Sequence, residues 1–132
     1  MIRMTRTDEK KPWDGAGDRM KARNLKNDKE LSNNVNVADG LLKRMKGLLG
    51  RNELTHGEAL WIKPCMSIHT FFMGFPIDVV FLNKKNQVVA AIKDLQPNRM
   101  TKIYPKAASV LELPAGTIEA TGTGVGDEIE IA

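Results

Sequence analysis

The chain has 132 residues, 42% of them hydrophobic and 27% charged, with a net charge of +4 at pH 7. That length predicts one domain around one core, and no apolar run approaches the roughly 18–20 residues that a membrane helix needs. A single cysteine excludes an internal disulfide framework and, with no apolar leader near the N-terminus, points to a cytoplasmic protein in a reducing compartment.

The positive charge is uneven. Residues 1–31 hold nine Lys/Arg and six Asp/Glu, so most of the excess lies there. Residues 1–23 are polar and show no hydrophobic period, which predicts a flexible N-terminal extension; residues 24–132 form the compact domain. Acids interrupt the bases of the extension, and its one aromatic is Trp13. It therefore reads as a solvated tail, with weak anion or nucleic-acid binding as the alternative.

A short strand is expected just before Asn27-Asp28. Residues 31–38 alternate, with Leu31, Val35 and Val37 on one side, and predict a half-buried strand. Asp39 can cap a helix over residues 40–49, where Leu41, Leu42, Met45, Leu48 and Leu49 share one face. Residues 59–63 predict a strand that Pro64 terminates. Residues 67–72, rich in aromatic and β-branched side chains, predict another. After the Gly74-Phe75-Pro76 break, residues 77–82 are apolar on both faces except for Asp78, the pattern of a central buried strand. Residues 83–86 form a turn and 87–95 the return strand. A long connection with two prolines, 96–106, is lid-like. Residues 107–113 predict a strand with Val110 and Glu112 on one face and Leu111 and Leu113 on the other. A helical turn over 117–121, a glycine turn over 122–126 and a last strand from 127 complete the chain. The fold class is mainly β (α+β): an antiparallel β-sandwich or barrel-like sheet with one main amphipathic helix packed on it.

Four pieces in order, RMKGLLGR, SIHTFFMGFPIDVVFLN, SVLELPAGT and GVGDEIEI, carry a family resemblance. The chain resembles domain-of-unknown-function family 192, uncharacterised small prokaryotic proteins, from about residue 25 to 131. The resemblance implies a β-sandwich or barrel-like fold with one helix on it, and no reaction. Many family members carry an export leader, which this chain lacks in its apolar pattern.

If residues 67–72 fold back on 77–82 around Met73-Gly74, His69 stands opposite Asp78, with Cβ atoms roughly 4.5–5.5 Å apart. The pair then forms an acid–base site, joined by Glu112 if all three share a cleft. The structural alternative makes Asp78 a buried carboxylate that accepts hydrogen bonds from Ser67 or Thr70 hydroxyls or from free backbone N–H groups, tying a turn together. Cys65 and His69, four residues apart on one strand, are about 13 Å apart, too far for thiol activation. His56, His69 and Cys65 show no metal-ligand spacing. GTGVGD leads into a strand rather than opening a helix, and so is turn chemistry and not a dinucleotide fingerprint. Residues 65–83 hold no Lys or Arg among their aromatics, which argues against a nucleic-acid platform.

The expected function is a non-enzymatic binding or accessory module. Its pocket lies near residues 65–78, with His69, Thr70, Met73, Phe75 and Asp78 as ligand-binding candidates. The alternative is a hydrolase using His69, Asp78 and Glu112. No cofactor or metal is expected. The partner is a small molecule or peptide, nucleic acid is disfavoured, and a monomer is the default.

Overall fold

Apolar alternation and glycine turns build two sheets. The computed structural model describes residues 19–38, 54–71 and 73–132. In chain order the strands are β1 (Ala22–Asn24), β2 (Lys29–Ser32), β3 (Asn34–Ala38), β4 (Glu58–Ile62), β5 (Ile77–Leu82), β6 (Val88–Leu95), β7 (Ser109–Pro114) and β8 (Ile129–Ile131); a short helix, α1 (Thr117–Thr121), lies between β7 and β8. One sheet has the order β2-β1-β8, the other β3-β4-β7-β5-β6.

The fold is mostly β with one short helix among the described residues, and neither sheet closes into a barrel. The pairing is not wholly antiparallel, because β3 and β4 run parallel. The strand expected before Asn27 is β1, and it takes in Ala22 and Arg23, which the sequence pattern leaves in the extension. The single strand expected over 31–38 is two strands in different sheets, broken at Asn33. The helix expected over 40–49, its basic residues and most of the N-terminal extension lie outside the described residues.

β5 confirms its two-sided apolar pattern. It lies between β7 and β6, and all six of its residues are buried. Ile77, Val79 and Phe81 face a core with Leu60, Ile62, Met73, Phe75 and Val110. Val80 and Leu82 face a second core with Leu31, Ala59, Leu111, Leu113, Ile118 and Ile129. The small sheet and α1 therefore cover one face of the large sheet. Irregular segments that contribute Leu54, Cys65, Met73, Phe75 and Ala107 cover the other. Burying each large apolar side chain contributes roughly 1.5–3 kcal/mol, so β5, with two packed faces, is the fold's axis.

The hairpin expected between 67–72 and 77–82 does not form. β5 already has β6 and β7 as antiparallel neighbours, so no ladder edge is left for a third strand. Residues 66–70 instead run along the 98–104 connection. The Thr70 N–H donates to the Arg99 carbonyl at 2.8 Å, Thr101 N–H to the Ile68 carbonyl at 3.0 Å and Tyr104 N–H to the Met66 carbonyl at 2.9 Å. The long connection is therefore one half of an irregular ribbon rather than a free lid.

Candidate functional site

Asp78 lies on β5, fully buried, on the face shared with Val80 and Leu82. The ladder with β6 explains why its carboxylate is accommodated there. Ile77 pairs with Leu95 and Val79 with Ile92, so two residues of β6 stand opposite Asp78 alone. An extra residue in one strand bends it and frees backbone groups from the ladder. Asp94 takes a left-handed φ of 54°, and its freed N–H donates to Asp78 Oδ1 at 2.8 Å. The other oxygen reaches the start of α1. Gly116 caps that helix with φ 100° and offers no side chain to its orphan donors. Asp78 Oδ2 supplies the acceptor instead, at 3.1 Å from the Gly116 N–H and 2.8 Å from the Ile118 N–H. A strand residue thus does the work of an N-cap.

Glu112 stands on the neighbouring strand and the opposite face. Its cross-strand partners are Leu60 and Val79, both in the first core. It is 5% exposed, and among the described residues no group hydrogen-bonds or pairs with its carboxyl. Burial pushes that carboxyl up to about 7.

The remaining candidates are dispersed. His69 is exposed and bridges to Met100; its Nδ1 accepts the Phe71 N–H at 3.3 Å, and the two rings stack with centroids 5.0 Å apart. Thr70 is fully buried. Its hydroxyl donates to the Gln96 carbonyl at 2.6 Å and accepts the Arg99 N–H at 2.9 Å, which fastens the ribbon. Met73 and Phe75 are core side chains. The Cys65 thiol is buried and donates to the Ser67 carbonyl at 3.1 Å. His69 therefore does not meet Asp78, whose carboxylate is held by three backbone donors. Glu112 cannot join them from the far side of the sheet. The acid–base cluster weighed as the alternative is not assembled, because its geometry depended on a hairpin that β6 and β7 displace. Among the described residues no three His, Cys, Asp or Glu side chains group to hold a metal.

A cleft of ≈ 290 Å³ opens between the β2–β3 break, the loop bearing His56 and Gly57, and the first turn of α1. Ser32 Oγ donates to the Gly57 carbonyl at 2.7 Å and the Asn33 N–H donates to the same oxygen at 3.0 Å, joining two of these walls. Gly57 has φ 92°, and a Cβ there would come 3.0 Å from Asn33 Oδ1, so only glycine fits without displacement. Glu30, Asn33, His56 and Thr117 give the lining its polar character. The third wall is the helix start that Asp78 anchors from behind. Sequence reading places Ser32 and Asn33 in a strand, His56 and Gly57 in a loop and Thr117 in a helical turn, and it carries no signal that these segments meet.

Known proteins share this sequence and fold. A UPF0127 protein of Pyrococcus furiosus is 36% identical over 110 residues, covering 81% of this chain and 94% of that one. One of Thermococcus sibiricus is 35% identical over 104 residues, or 73% of this chain, and the alignment spans 64% of the length of that relative. Two crystal structures share the fold. A protein of unknown function from Novosphingobium aromaticivorans has a TM-score of 0.72 at 20% identity, covering 84% of this chain and 82% of that one. A protein described as a putative transcription regulator from Sinorhizobium meliloti has a TM-score of 0.71 at 19% identity, covering 86% and 92%. The model of DUF192, described as an uncharacterized ACR, matches residues 23–131, and the chain belongs to that family.

Proposed function

We propose that this chain is a non-enzymatic binding module that receives a small polar molecule or a peptide end in the cleft beside α1. The observation that carries the reading is the cleft's construction: a buried carboxylate, Asp78, is committed to two N–H groups of the helix start that forms one wall. A preformed concave site with a few polar groups is the usual form of a small-ligand site. The separation of His69, Asp78 and Glu112 supports binding over hydrolysis. The buried lone thiol suits the cytoplasm, where we place the protein.

Amide NMR titration of the full chain with acetate, free amino acids, monosaccharides and nucleoside monophosphates tests this. The expected result is saturable shifts confined to residues 30–33, 56–57 and 115–121 with at least one probe, abolished by Ala120→Trp, which fills the cleft. Saturable shifts confined to other residues would overturn the reading, and so would the absence of any response.

A further inference from the structure

The ribbon of residues 66–70 and 98–104 shares no residue with the cleft and presents an unusual surface. Met66 is 49% exposed, Met100 67% and Ile103 64%. All three lie on the ribbon: Met66 stands across from Tyr104, next in sequence to Ile103, and Met100 across from His69. Large apolar side chains gathered on a surface mark an interaction site. Arg99, Lys102 and Lys106 are exposed beside them, and among the described residues none has a carboxylate partner. Residues 63–77 and 96–108 contain no Asp or Glu at all.

We propose that this ribbon docks the protein onto an anionic lipid bilayer, with Met66, Met100 and Ile103 entering the interface and the three cations meeting headgroup phosphates. The chemistry is that of an interfacial anchor: apolar side chains flanked by cations that have no carboxylate partner among the described residues. Charge complementarity selects this occupant. A second copy would bring a like-charged face against this one across a two-fold contact. A peptide would need a groove, and the cleft described above lies on other residues. The proposed contact is peripheral; among the described residues no helix is long and apolar enough to cross a membrane.

Co-sedimentation of the full chain with vesicles tests the proposal. Vesicles of phosphatidylcholine and phosphatidylglycerol in equal parts are expected to pellet the protein. Pure phosphatidylcholine is not, and added salt should release it, since surface charges are screened. Replacing one cation by glutamine (R99Q, K102Q or K106Q) should weaken partitioning roughly fivefold, and all three on the order of a hundredfold. The Met100→Ser, Ile103→Ser pair should also release the protein while its circular dichroism spectrum is unchanged, both sites being exposed. Unaltered partitioning of these variants would overturn the proposal by moving binding to another surface. It would also be overturned by no pelleting with anionic vesicles, by a dimer in light scattering that Ile103→Ser dissociates, or by binding to an acidic peptide without binding to vesicles.

Discussion

Asp78 and Glu112 are buried on adjacent strands of one sheet, and their surroundings are opposite. Asp78 looks into the core beneath the small sheet, where a bulge in β6 and the uncapped start of α1 bring three free N–H groups to its two oxygens. Glu112 looks into the other core, between Leu60 and Val79, with no hydrogen-bond partner among the described residues. The difference lies in the backbone. A regular ladder consumes its own donors, so a carboxylate on its face finds none; a bulge and a short helix release donors. Asp78 is therefore a tie between three segments, and Glu112 is a carboxyl whose charge the fold resists.

The largest expected effect breaks the Asp78 side of this comparison. Asp78→Ala takes the acceptor from the buried Ile118 N–H and the part-buried Asp94 and Gly116 N–H groups, and should cost roughly 3–5 kcal/mol in urea unfolding, since hydrogen bonds to a charged group are worth about 1.5–3 kcal/mol each. Amide exchange should quicken first at Gly116 and Ile118. Glu112 should respond in the opposite sense and only at high pH. Folding raises its pKa from 4.5 to about 7. Between those values the folded chain keeps a proton that the unfolded chain has released, so stability is full below the unfolded value and falls as pH rises to the folded one. Glu112→Gln should stabilise by roughly 3 kcal/mol at about pH 8 and by little at about pH 4, read from urea midpoints. Thr70→Val removes the hydroxyl that fastens the ribbon and should cost about 1–3 kcal/mol. The smallest effect is at His69. His69→Ala should stay within about 0.5 kcal/mol, and its coupling to Asp78 in a double-mutant cycle should be close to zero; a coupling above roughly 1 kcal/mol would restore the pair expected from sequence.

The limits of sequence reading follow from the same contrast. Residues 77–82 are legible because apolar side chains on both faces leave only a central position for the strand. The opposite facing of Glu112 and Leu111 is legible from the two-residue period. Asp78 as an acceptor for free backbone N–H groups is legible in kind, since a lone carboxylate in such a strand must be satisfied. Its donors are not: Asp94, Gly116 and Ile118 lie 16 to 40 residues away, and a β-bulge leaves no periodic signal. The His69–Asp78 contact fails for a related reason. Local β-propensity in 67–72 predicts a strand, but pairing is decided by which partner reaches β5, and β6 and β7 occupy both sides. The cleft is formed by three segments distant in sequence, and no local pattern encodes their meeting.

The most direct test of the central contrast is a carbon-13 NMR titration of the Glu112 side-chain carboxyl in the folded chain. The account predicts a midpoint at about 7. A midpoint at the ordinary carboxyl value of 4.5 would mean that Glu112 is as well accommodated as Asp78, and would contradict it.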